Sequence, residues 1–263
     1  MLVRATYSFF QTLLAIIFSG IILSACVHTE TGGFSDKKDP AKALASSEEL
    51  ARSYIREGNW EAAKRHLKVA MDIDDSSAGI YEAMAMVYQN TGEDEEAARH
   101  YEKAIRLDPS VSRIRLNYAS FLYQQGQFDE AAQELQIVTE DTLYPKRELA
   151  FANLGRCYLA LQEPEKAVKA FKRAYMMNRR SPGIKLELAT AYFESGNYSE
   201  AQKYYTAYRE QVIQQPPQGL WLGIRLADKY KDEDALSSYA LALKNLYPTS
   251  SEYLVYINQY ENN

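Results

Sequence analysis

A small residue returns at a nearly constant interval through most of this chain. Ala51, Ala85, Ala119, Gly155, Ala189 and Gly223 stand 34, 34, 36, 34 and 34 residues apart. Twelve residues after each comes an alanine: Ala63, Ala97, Ala131, Ala167, Ala201 and Ala235. A fixed period of this length is the mark of stacked helical units, none of which can bury its apolar face alone. Other columns keep the same phase. Tyr54, Tyr88, Leu122, Tyr158, Tyr192 and Leu226 form one; Leu67, Tyr101, Leu135, Phe171, Tyr205 and Tyr239 form another; Ala70, Ala104, Val138, Ala174, Tyr208 and Ala242 form a third. The small residues let two helices approach closely and the large ones fill the gap to the next unit. Gly58, Gly92, Gly126 and Gly196 recur at the loop between the two helices, where glycine readily takes a left-handed conformation. Gln162 and Tyr230 hold that place in the fourth and sixth units.

The pattern resembles the tetratricopeptide repeat, W-x₂-L-G-x₂-Y followed by A-x₃-F, A and P. The fourth unit shows it best, with Phe151, Leu154-Gly155, Tyr158, Ala167, Phe171 and Ala174. The tryptophan position is poorly matched outside the second and fourth units, where Ser47, Arg115, Lys185 and Gly219 occupy it. The expected fold is all-α: a tetratricopeptide repeat superhelix of six helix-turn-helix repeats at 44–77, 78–111, 112–147, 148–181, 182–215 and 216–249. The third carries two extra residues near Asp141-Thr142-Leu143-Tyr144-Pro145. Residues 250–263 are expected to form a capping helix over the exposed face of the last repeat.

The N-terminus reads as an address. Residues 1–25 combine Arg4 with an apolar stretch from Leu13 to Leu23, shorter than a bilayer-spanning helix needs, and so predict a cleaved signal peptide. The string Leu23-Ser24-Ala25-Cys26 resembles the bacterial lipobox, which implies acylation of Cys26. Val27 in place of Asp resembles the signal for outer-membrane sorting. Residues 26–43 are polar, with Gly32-Gly33 and Pro40, and are expected to be a flexible tether.

Chemistry is sparse. A net charge of -5 argues against nucleic-acid binding, which needs a basic face. His28, His66 and His100 suggest no metal cluster, and no cofactor or catalytic constellation is expected. Cys157 reads as a small buried hydrophobe. Repeats covering 44–249 leave no room for a catalytic domain, so the chain is expected not to be an enzyme and to take no small-molecule substrate. The repeat resemblance implies a concave groove lined by Ile55, Met86, Leu116, Tyr123, Leu149, Leu159, Leu186, Phe193, Leu220 and Ile224, with Arg113 and Arg156 among the charges between them. Arg52, Arg56, Glu48, Glu82, Glu194 and Asp228 share that face. Such a groove suits an amphipathic helix or an extended peptide, with arginine orienting an acidic group.

A lipobox, a short tether and six such repeats resemble the layout of the type IV pilus biogenesis and stability lipoproteins, the secretin pilotins. Non-consensus strings narrow the resemblance: Asp141–Pro145 followed by Phe151-x-Asn153-Leu154-Gly155, then Leu222-Gly223-Ile224-Arg225-Leu226-Ala227, then Leu246-Tyr247-Pro248 with Glu252-Tyr253. The resemblance implies a lipid-anchored outer-membrane protein facing the periplasm, whose partner is the secretin subunit and whose repeats promote assembly of the secretin multimer. The alternative is a general repeat scaffold for outer-membrane protein assembly or peptidoglycan enzymes.

Overall fold

A computed structural model describes residues 39–261. The chain divides into two units, 1–46 and 47–263. The described part of the first is the short run 39–46, within which helix α1 (Pro40–Glu57) begins. Cys26 and the signal segment lie outside the described residues. Residues 40–43, expected in the tether, are helical instead: proline occupies the first helical position, where its missing N–H costs nothing, and the Asp39 carboxylate accepts from the Ala41 N–H at 3.1 Å.

The body is a ladder of helix pairs: α2 (Trp60–Ile73) completes the first, followed by α3 (Ala78–Thr91) with α4 (Asp94–Leu107), α5 (Ser112–Gln124) with α6 (Phe128–Glu140), α7 (Arg147–Ala160) with α8 (Pro164–Met177), α9 (Pro182–Glu194) with α10 (Tyr198–Arg209), and α11 (Pro217–Tyr230) with α12 (Glu233–Leu246). A short α13 (Ser251–Tyr256) runs into a wider π-type turn at Ile257–Glu261 and packs against α11 and α12. No strand occurs among the described residues. From the second repeat on, each first helix packs on its own second helix, and each second helix touches the next repeat. The expected all-α repeat architecture is therefore the one the chain adopts.

The small-residue columns are where helices meet. The alanines at 51, 85, 119 and 189 and those at 63, 97, 131, 167 and 201 are wholly buried. Gly155 shows the reason for smallness: a Cβ there would lie 2.7–2.8 Å from the Phe171 ring of the partner helix. Asparagine or aspartate caps several second helices, with Asn59, Asn197 and Asp232 accepting from the N–H three residues on.

The last repeat departs from the strict period. Its left-handed residue is Lys231 (φ 60°), not Tyr230, because α11 runs one residue further before turning. The packing register of α12 shifts accordingly. Ala240 and Leu243 are buried, whereas Tyr239 and Ala242, which the period places inward, are only half-buried. Gln162 (φ 59°) takes the left-handed place in the fourth repeat, as its column position requires.

Candidate functional site

The first helices of successive repeats share one face, and clefts open along it. The N-terminal cleft, of about 390 Å³, is lined by Ile55, Met86 and Leu116 over an apolar floor. Arg52, Arg56 and Arg113 join them from α1 and α5, Glu82 from α3, and Tyr144 and Lys146 from the loop before α7. Ile55, Met86, Arg113 and Leu116 were expected in a groove, and the fold brings them together, although Leu116 is 4% exposed and belongs to the core beneath the cleft.

Glu82 organises this cleft. It is 1% exposed, forms an ion pair with Arg113, and accepts from the Asn117 amide at 2.8 Å. Burial pushes its carboxyl above the ordinary carboxylate value, although Arg113 and Asn117 pull the other way. Tyr144 and Lys146 belong to the insertion of the third repeat. The Asp141 carboxylate fixes that loop, accepting from Ser112 Oγ at 2.5 Å and from the Leu143 N–H at 3.1 Å. The Ser112 hydroxyl is also the main reason the Asp141 carboxyl sits below its usual value. Arg147 Nε donates to the Thr139 carbonyl at 2.6 Å, closing the loop from its other end. Sequence reasoning noticed the two extra residues but not that they deliver side chains to the cleft.

Farther along, Tyr123 and Arg156 line a smaller cavity with Asn153 and Cys157, and Leu159 lines another with Thr190 and Glu194. Arg156 Nε donates to Glu187 Oε1 at 2.5 Å and its Nη1 to Asn153 Oδ1 at 2.7 Å. Burial raises the Glu187 carboxyl above its ordinary value against the pull of Arg156. Phe193 packs under the Arg225 guanidinium, 4.1 Å from its ring, and Arg225 is itself held by Glu194 at 2.6 Å. Arg113 and Arg156, expected to orient a partner's acidic group, are thus both engaged with glutamates of a neighbouring repeat.

Four expected groove residues stand elsewhere. Leu186 (9% exposed) lies in the core shared by repeats four to six. Leu220 (4%) and Ile224 (0%) lie in the cluster with Ala240, Leu243 and Tyr253, where α13 covers the helix face they occupy. Leu149 is exposed near the start of α7 and lines none of these three clefts. Cys157 is fully buried, which pushes its thiol up to about 11, and His66 stacks on Tyr54 at 5.4 Å. Among the described residues no group of three or more His, Cys, Asp or Glu could hold a metal ion.

Stacked helix pairs at a period of about 34 residues define a tetratricopeptide-repeat protein, and that family's profile matches residues 47–215. The chain is also 37% identical over 253 residues, 96% of its length and 97% of the relative's, to type IV pilus assembly protein PilF of Pseudomonas aeruginosa. A solved structure of Pseudomonas aeruginosa PilF superposes with a TM-score of 0.72 at 37% identity, over 84% of this chain and all of that one. The crystal structure of PilW, described as a widely conserved type IV pilus biogenesis factor, has the same fold: TM-score 0.70 at 22% identity, over 81% of this chain and 98% of that one. The chain belongs to the PilF family of tetratricopeptide-repeat proteins.

Proposed function

We propose that this protein is a lipoprotein, acylated at Cys26 and anchored in the outer membrane facing the periplasm. In this reading it binds the secretin subunit of the type IV pilus and promotes its localisation and multimer assembly, and so supports pilus biogenesis and twitching motility. The observation that carries the reading is the end-to-end similarity to type IV pilus assembly protein PilF, which spans nearly the whole of both chains. The helical face supports it, because clefts with apolar floors and charged rims suit a polypeptide segment. The protein acts by binding rather than by catalysis, and reversible micromolar capture corresponds to about 8 kcal/mol. Each acyl CH₂ buried in the leaflet contributes about 0.8 kcal/mol, so several chains on Cys26 hold the protein firmly.

The test is secretin multimer content in outer-membrane fractions, with and without this gene, on an unboiled gel. Loss of multimers with monomer persisting supports the proposal. Normal multimers overturn it and favour a general envelope scaffold. A Cys26→Ala variant should fold and fail to reach the outer membrane; its continued recovery there would refute the anchor.

A further inference from the structure

The cleft of the first three repeats is basic in a chain whose net charge is -5. Arg52, Arg56, Arg113 and Lys146 face one another across it, and the one carboxylate among its lining residues, Glu82, is already bound by Arg113 and Asn117. Among the described residues Arg52, Arg56 and Lys146 make no ion pair. The buried Tyr144 hydroxyl on the same wall has no hydrogen-bond partner within the protein. The lining therefore presents Arg56 and Lys146 as uncompensated cations, with Arg52 engaged only through the charge of the nearby Glu82, beside the half-buried Ile55 and Met86 and over the buried Leu116.

We infer that this cleft receives an acidic segment of the partner, with Asp or Glu side chains among Arg52, Arg56 and Lys146 and intervening apolar side chains on Ile55 and Met86. The cations come from two separate elements: Arg52 and Arg56 stand one turn apart on α1, and Lys146 stands on the insertion loop. One carboxylate at a chain end would satisfy one side only, so the spread of charge calls for side-chain carboxylates along a segment. The inference rests on the reading that this face binds the partner, and it adds the chemistry of what is bound.

The test uses the full mature protein in detergent and a fluorescein-labelled peptide of alternating leucine and glutamate, amidated at its C-terminus. Fluorescence anisotropy should show binding that weakens with salt and falls about tenfold or more when Gln replaces every Glu. The Arg52→Glu/Arg56→Glu variant should lose a similar factor with unchanged circular dichroism. Lys146→Glu, in a loop, provides the same charge test should the double variant misfold. Equal binding of the Gln peptide, or indifference to both charge reversals, overturns the inference. So does a Gln peptide with a free C-terminus that binds as tightly as the Glu peptide, because a chain terminus would then be the ligand. The secretin gel keeps the two readings apart. Normal multimers without the gene defeat the secretin role while the titration still decides the acidic segment; lost multimers beside charge-independent peptide binding defeat the acidic segment alone.

Discussion

The first three repeats and the last three are built from the same columns, yet they use the inner face of the first helices differently. In the N-terminal half the face stays open: Ile55 and Met86 are half-buried, and cations outnumber carboxylates in the cleft. In the C-terminal half the face is closed only toward its end: Leu159 still lines a cleft with Thr190 and Glu194, and Phe193 is half-buried. Arg156 with Glu187 and Arg225 with Glu194 join neighbouring repeats, and α13 seals Leu220 and Ile224 into a core. A repeat position thus has no intrinsic role. What stands opposite it decides whether an apolar side chain is a binding surface or core.

Substitutions can break this contrast. Ile224→Ala should cost about 2–5 kcal/mol in urea unfolding because it opens a cavity, while Ile55→Ala, already half-solvated, should cost far less and register instead in partner binding. Equal costs would erase the distinction between the halves. Next in size, Arg113→Ala should destabilise by about 1–3 kcal/mol at neutral pH, since it leaves the buried Glu82 carboxylate with only Asn117 and the charge of Arg52. That loss should shrink in acid, where Glu82 is neutral.

A third measurement follows from the direction of the Glu82 shift. Its folded value is raised, so the folded state holds the proton more tightly than the unfolded chain. Its stabilising effect is complete below the ordinary carboxylate value and is lost as pH rises through the folded value. Glu82→Gln should therefore melt near wild type in acid and gain on it as pH rises; a gap that is constant with pH would refute this. The smallest effect concerns the turns. Among the described residues, left-handed residues other than glycine occur only in the C-terminal half, at Gln162 and Lys231. Lys231→Gly should raise stability by about 0.5 kcal/mol, with relief of strain partly offset by the entropy of glycine. Gly58→Ala should lower it by about 1 kcal/mol, both read from the urea midpoint.

Much of the fold was legible because helical packing constrains sequence locally. Smallness at Gly155 is dictated by the Phe171 ring in the same repeat, and both residues appear in the columns. The site was less legible. Residue type cannot distinguish Ile55, open to a cleft, from Ile224, covered by α13, because both are isoleucines at inner-face positions. The one-residue lengthening of α11 was hidden as well, since Ala235 keeps the sequence column in phase while the packing register shifts to Ala240 and Leu243. By itself the sequence determined the repeat, its period and its helices, since those follow from spacing within about forty residues of chain. Only the tertiary structure decided which arginines are spent on glutamates a repeat away and that the insertion loop carries Tyr144 and Lys146 into the first cleft. Those outcomes depend on contacts between residues about thirty or more positions apart, whose partners no local pattern names.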